Sequence, residues 1–231
     1  LVASSTAGTI SCFGGSTSVV VSASGGTAPY TVAPSQTGLV AGTYTFTATD
    51  ANACIKTTVL TITQPSALNL TASNSPILCN GGTTNIILTT NGGTGTIVTS
   101  PISTNKTAGT YTFTATDANS CTKTTVVTLT QPSAITITAL AGNILCNGAT
   151  TSATVAANGG TGIKTITPAT TNLLAGVYTF TATDANACAV STIVSVTQPA
   201  ALTITATSSA ILCNSGTANV TLNTSGGTGI T

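Results

Sequence analysis

Residues 43–50 read TYTFTATD, a strict alternation of side chains. Tyr44, Phe46, Ala48 and Asp50 fall on one parity; Thr43, Thr45, Thr47 and Thr49 fall on the other. A period of two predicts a β-strand with one apolar face and one hydroxyl face. Threonine is β-branched and suits a pleated surface. Asp50-Ala51-Asn52 follows with turn chemistry, because both polar side chains can bond nearby backbone N–H groups and Asn tolerates positive φ. IKTTVLTIT at 55–63 then predicts the returning strand of a hairpin.

The same reading extends along the chain. LNLTAS at 68–73 and TNIILTT at 84–90 predict further strands, the second ended by the tight-turn signal Asn91-Gly92-Gly93. The segment Thr94–Thr107 is expected to hold one or two shorter strands. About six or seven short strands per 67 residues, with no helical period, predict an all-β fold. The expected architecture is a tandem array of small immunoglobulin-like antiparallel β-sandwich modules, one disulfide each.

The array follows from repetition. AGTYTFTATDANAC at 41–54 returns as AGTYTFTATDANSC at 108–121 and AGVYTFTATDANAC at 175–188. Asp50, Asp117 and Asp184 are 67 residues apart, as are Cys12, Cys79, Cys146 and Cys213. A Gly-Gly pair and a Gln-Pro pair keep the same register. Proline removes a ladder donor and stiffens the exit, so Pro65, Pro132 and Pro199 mark boundaries. The repeats are therefore expected at 1–65, 66–132 and 133–199, with an incomplete fourth at 200–231. The stretch reads as a window on something longer. Tyr44 and Phe46, Tyr111 and Phe113, and Tyr178 and Phe180 are expected to anchor a core otherwise built from Val, Ile, Leu and Ala. Asp50, Asp117 and Asp184 are expected to form the turn, with a weak calcium site as the lesser reading.

Composition narrows the chemistry. The chain has no His, Trp, Met, Glu or Arg, and a formal net charge of +1; about a quarter of its residues are Thr. It lacks the Lys/Arg footprint that nucleic acid or an anionic membrane surface requires. No apolar run is long enough to span a bilayer. Acid–base and nucleophilic schemes lack players, so an enzyme is not expected, and no cofactor or metal is called for.

Each full repeat carries two cysteines 42 positions apart. The expected pairs are Cys12–Cys54, Cys79–Cys121 and Cys146–Cys188, with Cys213 unpaired in this chain; free buried thiols, or a metal or redox site, are the lesser readings. Closing a loop of that size would contribute about 4 kcal/mol in the chain-entropy model. A domain under about 70 residues rarely builds a sufficient core alone, so such staples matter. They point to an oxidising, extracellular setting.

The surface has little charge and few edge guards. Two readings follow: sugars cover the hydroxyl faces, or repeats associate with one another. Asn69, Asn105, Asn219 and Asn223 stand in glycosylation sequons, and Ser and Thr offer O-linked sites. Lys56 and Lys123 are equivalent but Val190 takes their place in the third repeat, which argues against an isopeptide crosslink.

Gly25-Gly26, Pro29-Tyr30, residues 41–54, ITQP at 62–65 and ILCNGG at 77–82 together resemble the SprB repeat. That repeat occurs in tandem in very long surface proteins of gliding Bacteroidetes. The resemblance covers every repeat and implies export through the type IX pathway, cell-surface display, and a role in adhesion or gliding. It implies no catalytic residues. The chain departs from the pattern in its second and third repeats, where the segments around Gly95-Thr96 and Gly162-Ile163 lack the Pro-Tyr pair of Pro29-Tyr30.

Three roles are compatible with these observations. The first is a stalk of a surface adhesin, meeting surface glycans or abiotic surfaces at its tip. The second is a self-assembling filament in which subunits complete one another by strand exchange. The third is a carbohydrate-binding array using segments 27–40, 94–107 and 161–174, two of which lack the aromatic platforms sugars favour.

Overall fold

The structure is a computed structural model that describes residues 1–228. Its regular elements are all strands. In the first repeat they are β1 (Val2–Ala7), β2 (Val19–Ser24), β3 (Thr31–Ala33), β4 (Gly42–Thr49) and β5 (Ile55–Ile62). β1 and β2 form a two-stranded antiparallel sheet, and β3-β4-β5 form a three-stranded one. The pattern recurs in β6 (Asn69–Asn74), β7 (Ile86–Asn91), β8 (Val98–Ser100), β9 (Gly109–Thr116) and β10 (Thr122–Leu129). It recurs again in β11 (Thr136–Ala141), β12 (Ala153–Asn158), β13 (Thr165–Thr167), β14 (Gly176–Thr183) and β15 (Ala189–Val196). The incomplete repeat contributes one two-stranded sheet, β16 (Thr203–Ser208) and β17 (Val220–Ser225). Its last three residues lie outside the described ones.

Each full repeat thus holds five strands, where the alternation predicted six or seven. Proline accounts for the shortfall. β3, β8 and β13 end at the residue before Pro34, Pro101 and Pro168, which cannot donate to a ladder. Beyond them, pairing shrinks to single bridges, Thr17–Leu39, Thr84–Lys106 and Thr151–Leu173.

The period-two reading of 43–50 carries directly into packing. Phe46, Phe113 and Phe180 are fully buried, and so are Ala48, Ala115 and Ala182. In the first repeat Phe46 packs with Ile10, Val19 and Ile62, flanked by Val21, Val32, Tyr44 and Leu60. Those residues come from both sheets, so the two small sheets share one core. The third repeat repeats it with Ile144, Ala153, Leu173, Phe180 and Val196. The tyrosine two residues before each of these phenylalanines is half-buried and donates its hydroxyl to a carbonyl four residues upstream: Tyr44 to Val40, Tyr111 to Thr107, Tyr178 to Leu174, at 3.1, 3.1 and 3.0 Å. This lets a large ring enter a small core without stranding its polar end.

The other face is hydroxylated. Thr43 and Thr61 are cross-strand partners with hydroxyls 3.0 Å apart, and Thr110 and Thr128 repeat the pair at 3.1 Å. Exposed apolar residues interrupt this face: Val59, Val126 and Ile193 at equivalent positions, each opposite a threonine, with Ile55 in the first repeat and Val177 in the third.

The chain divides into two compact units, Leu1–Pro76 with Thr83–Thr130, and Ile77–Gly82 with Gln131–Thr231. Segment 77–82, which the period assigns to the second repeat, is grouped with the second unit.

Candidate functional site: the seam between repeats

The most constant local structure is the turn between the two long strands. In the first repeat the Asp50 carboxylate accepts three backbone N–H bonds. Oδ1 takes Asn52 at 3.0 Å and Cys54 at 2.9 Å; Oδ2 takes Thr27 at 3.1 Å. Asp117 repeats this with Asn119, Cys121 and Thr94, and Asp184 with Asn186, Cys188 and Thr161, all between 2.8 and 2.9 Å. These aspartates are the buried polar residues of the described chain, each about 5–6% exposed. The N–H groups hold all three carboxyls below the ordinary carboxylate value of 3.8. For Asp50 and Asp184 the largest influence is the bond from Thr27 or Thr161. For Asp117 the largest is burial, which opposes the shift but is outweighed by the three N–H bonds, Cys121 first.

The left-handed residue of the turn is not the asparagine that the sequence favoured. It is the next one: Ala53, Ser120 and Ala187 have φ of 62°, 65° and 63°. The reason is the carboxylate, which fixes the Asn N–H, so the chain reverses one residue later to aim the cysteine N–H at the same oxygen. The Asn side chain is left free for other work.

That work is done at the seams. In the first unit Asn119 Nδ2 donates to the Ser11 carbonyl at 3.0 Å, and Cys121 is bonded to Cys12. In the second unit Asn186 Nδ2 donates to the Leu78 carbonyl at 3.1 Å, and Cys188 is bonded to Cys79. Both disulfides have a Cα–Cα distance of 5.7 Å and join residues 109 positions apart. The expected pairs Cys12–Cys54, Cys79–Cys121 and Cys146–Cys188 are therefore incorrect. Cys54, Cys146 and Cys213 are free and exposed among the described residues.

The length of β5 explains the correction. Gly14 N–H donates to Gln64 Oε1 at 2.8 Å, which places the Cys12 turn at the far end of β5. Cys54 immediately precedes the start of β5. An eight-residue strand spans about 26 Å, and a disulfide needs Cα atoms within about 7 Å. Within one repeat the two cysteines point to opposite ends. Only the turn of the following repeat can reach Cys12.

The glycines and the Gln-Pro pair belong to the same seam. Gly92 and Gly93 both have positive φ. A Cβ on Gly92 would collide with the Ala67 carbonyl, just after the Pro65 boundary, and a Cβ on Gly93 would press on Asp117. Gly93 N–H donates to the Ser66 carbonyl at 3.1 Å, so the pair clamps the boundary segment against the Asp turn. Gln131 Oε1 accepts from Gly81 N–H at 2.8 Å, and Asn80 Nδ2 donates to the Pro132 carbonyl at 3.0 Å. The asparagine and glutamine side chains were not singled out from sequence as contacts. The signal was present for two of them: Asn52, Asn119 and Asn186, and Gln64, Gln131 and Gln198, repeat without variation where packing alone would not require them, whereas Phe13 stands at the Asn80 position of the first repeat.

Each seam leaves a cleft. That of the first unit, about 550 Å³, is walled by Cys12, Phe13, Pro65, Leu68, Asp117 and Lys123. That of the second, about 380 Å³, is walled by Cys79, Pro132, Ile135, Asp184 and Cys188. Among the described residues, no three of His, Cys, Asp and Glu come together as a metal site would require. No helix is long and apolar enough to cross a membrane. The sequon residues Asn69, Asn105, Asn219 and Asn223 are all exposed. Lys106 lies 5.1 Å from the Tyr111 ring centre, at the end of variable segment 94–107. No protein-family model matches the chain, and no curated protein matches it significantly.

Proposed function

We propose that this chain is a non-enzymatic segment of an extracellular stalk, built from immunoglobulin-like β-sandwiches in tandem and displayed by a cell-surface adhesin. The observation that carries the reading is the seam. The same turn, asparagine contact and disulfide occur twice, each joining one repeat to the next. Conserved inter-repeat joints with variable intervening segments suit a part whose task is reach and stiffness, since repeat arrays gain stability from neighbour contacts. Two disulfides suit a non-reducing, extracellular setting. Two sheets over one core, and a tyrosine hydroxyl bonded to backbone a few residues upstream, are features that immunoglobulin-like domains share. The resemblance to the SprB repeat adds type IX export and surface adhesion or gliding to the proposal.

Electron microscopy of the native purified protein, averaged along its length, tests this. A string of beads one repeat wide supports the stalk. Compact particles with repeats clustered about a centre would remove it.

A further inference from the structure

The two disulfides interlace. Along the backbone their cysteines come in the order 12, 79, 121, 188, with Cys12 joined to Cys121 and Cys79 joined to Cys188. The two loops overlap through residues 79–121, and neither encloses the other. Pairs closed within single repeats would instead have made separate loops in single file.

Interlacing changes how far the chain can be drawn out. Cys12 and Cys188 are 176 positions apart along the backbone. Through the bridges the route is shorter: Cys12 crosses to Cys121, the backbone runs back 42 positions to Cys79, and Cys79 crosses to Cys188. At about 3.5 Å per residue, a straightened chain spans about 600 Å between Cys12 and Cys188 by the backbone and about 150 Å through the bridges. The stretches 12–79 and 121–188 are each 67 positions long. While both bridges hold, each must fit a span that 42 positions fill, so neither can be pulled straight. The stretch that takes the pull carries β7, β8 and β9, with the buried Phe113. Strands β2 to β6 and β10 to β14 lie on the slack stretches.

The pull enters that stretch at two hydrogen-bonded turns. Cys121 N–H donates to Asp117 Oδ1 at 2.9 Å, and Gly82 N–H donates to the Cys79 carbonyl at 3.0 Å. These contacts and the core around Phe113 resist first, at a rate that forced unfolding sets. The covalent limit stands behind them.

We propose that the interlaced bridges give this part of the chain a further mechanical function, a stop that limits its lengthening under tension. The stop is redundant. With either bridge open, the shortest route from Cys12 to Cys188 is 67 positions and the remaining bridge. Opening one bridge therefore lets out 25 positions, the difference between 67 and 42. Opening both lets out 134, the difference between 176 and 42. Loss of a single bridge thus releases less than a fifth of the held length.

The inference deepens the stalk reading and rests on it only for the source of the pull. The experiment supplies its own pull, so the stop can fail in a true stalk and can hold in a chain that micrographs show to be none. The full chain, with its other thiols alkylated, is stretched between handles attached to its two ends. The length of the fully straightened chain is read before and after reductant is added to the same molecules. Reduction should let out about 134 positions, or about 470 Å. Two variants, Cys12→Ser with Cys121→Ser and Cys79→Ser with Cys188→Ser, each keep one bridge, verified by mapping. Before reduction each should be longer than the parent by only about 25 positions, or about 90 Å. The readout is a covalent length, so it stands even where a variant loosens the folded seam. Gains of about 67 positions in each variant, adding up to the whole, would overturn the interlaced stop. So would a parent chain that reaches its reduced length with both bridges intact.

Discussion

Cys12 is bonded to Cys121, in the repeat that follows its own, and not to Cys54, which shares its repeat. The disulfide therefore ties neighbours together rather than stapling a single core. The first prediction is direct. A non-reducing digest of the native protein should yield peptides joined through Cys12–Cys121 and Cys79–Cys188. Recovery of Cys12–Cys54 instead would remove the seam from the argument.

Each bridge closes a loop of 109 positions, worth up to about 5 kcal/mol in the chain-entropy model. Reduction, with free thiols verified by alkylation, should lower the thermal midpoint of the full chain by many degrees. Replacing Cys121 with Ser should reproduce part of that loss. Because the bridge lies outside the Phe46 and Phe180 clusters, the far-ultraviolet signal of the reduced protein should stay that of folded β-structure at room temperature. Loss of that signal on reduction would show that the cores cannot stand without the ties.

The Asp turns make stability depend on acid. Their carboxyls lie below the ordinary value of 3.8 in the folded protein. A folded-state value below the unfolded one contributes stability above the unfolded value, which disappears as pH falls through the folded one. Denaturant midpoints should be flat from pH 7 to about 5 and drop below about 4. Asp117→Asn should lower the midpoint at pH 7 and flatten the acid limb. An unchanged acid limb in a triple Asp50, Asp117, Asp184 to Asn variant would assign the effect elsewhere.

Gly92→Ala should destabilise the first unit by more than about 1 kcal/mol, since the position combines positive φ with a backbone carbonyl in the space of the Cβ. Gly81→Ala, also at positive φ but with open space beside it, should cost less. Equal losses in chemical denaturation would mean that φ alone decides.

Phe180→Ala should cost about 3–5 kcal/mol, as truncation of a fully buried aromatic does. Val126→Ala, on the exposed outer face, should fall within about 0.5 kcal/mol of the parent.

Much of this protein is legible in its sequence. The alternation in TYTFTATD identified β4, its buried face and its partner β5, because side-chain parity in a strand is a local property. The strict return of Asp, Asn, Gly-Gly and Gln-Pro announced a repeat and its period. The number of strands was less legible, because whether 33–41 pairs along its length or through one bridge depends on donors that proline removes.

The cysteine pairing was beyond sequence for a different reason. In a chain of period 67, a cysteine 42 positions from its partner in one repeat is also 109 from the equivalent cysteine in the next, and the two arrangements leave the same pattern of letters. The deciding quantity is the length of β5, which carries Cys54 about 26 Å from the turn of Cys12. Sequence alone determined the long strands of the hairpin, the turn and the repeat; the tertiary structure decided that the turn of one repeat belongs to the end of another, because only there do the two cysteines come within bonding distance.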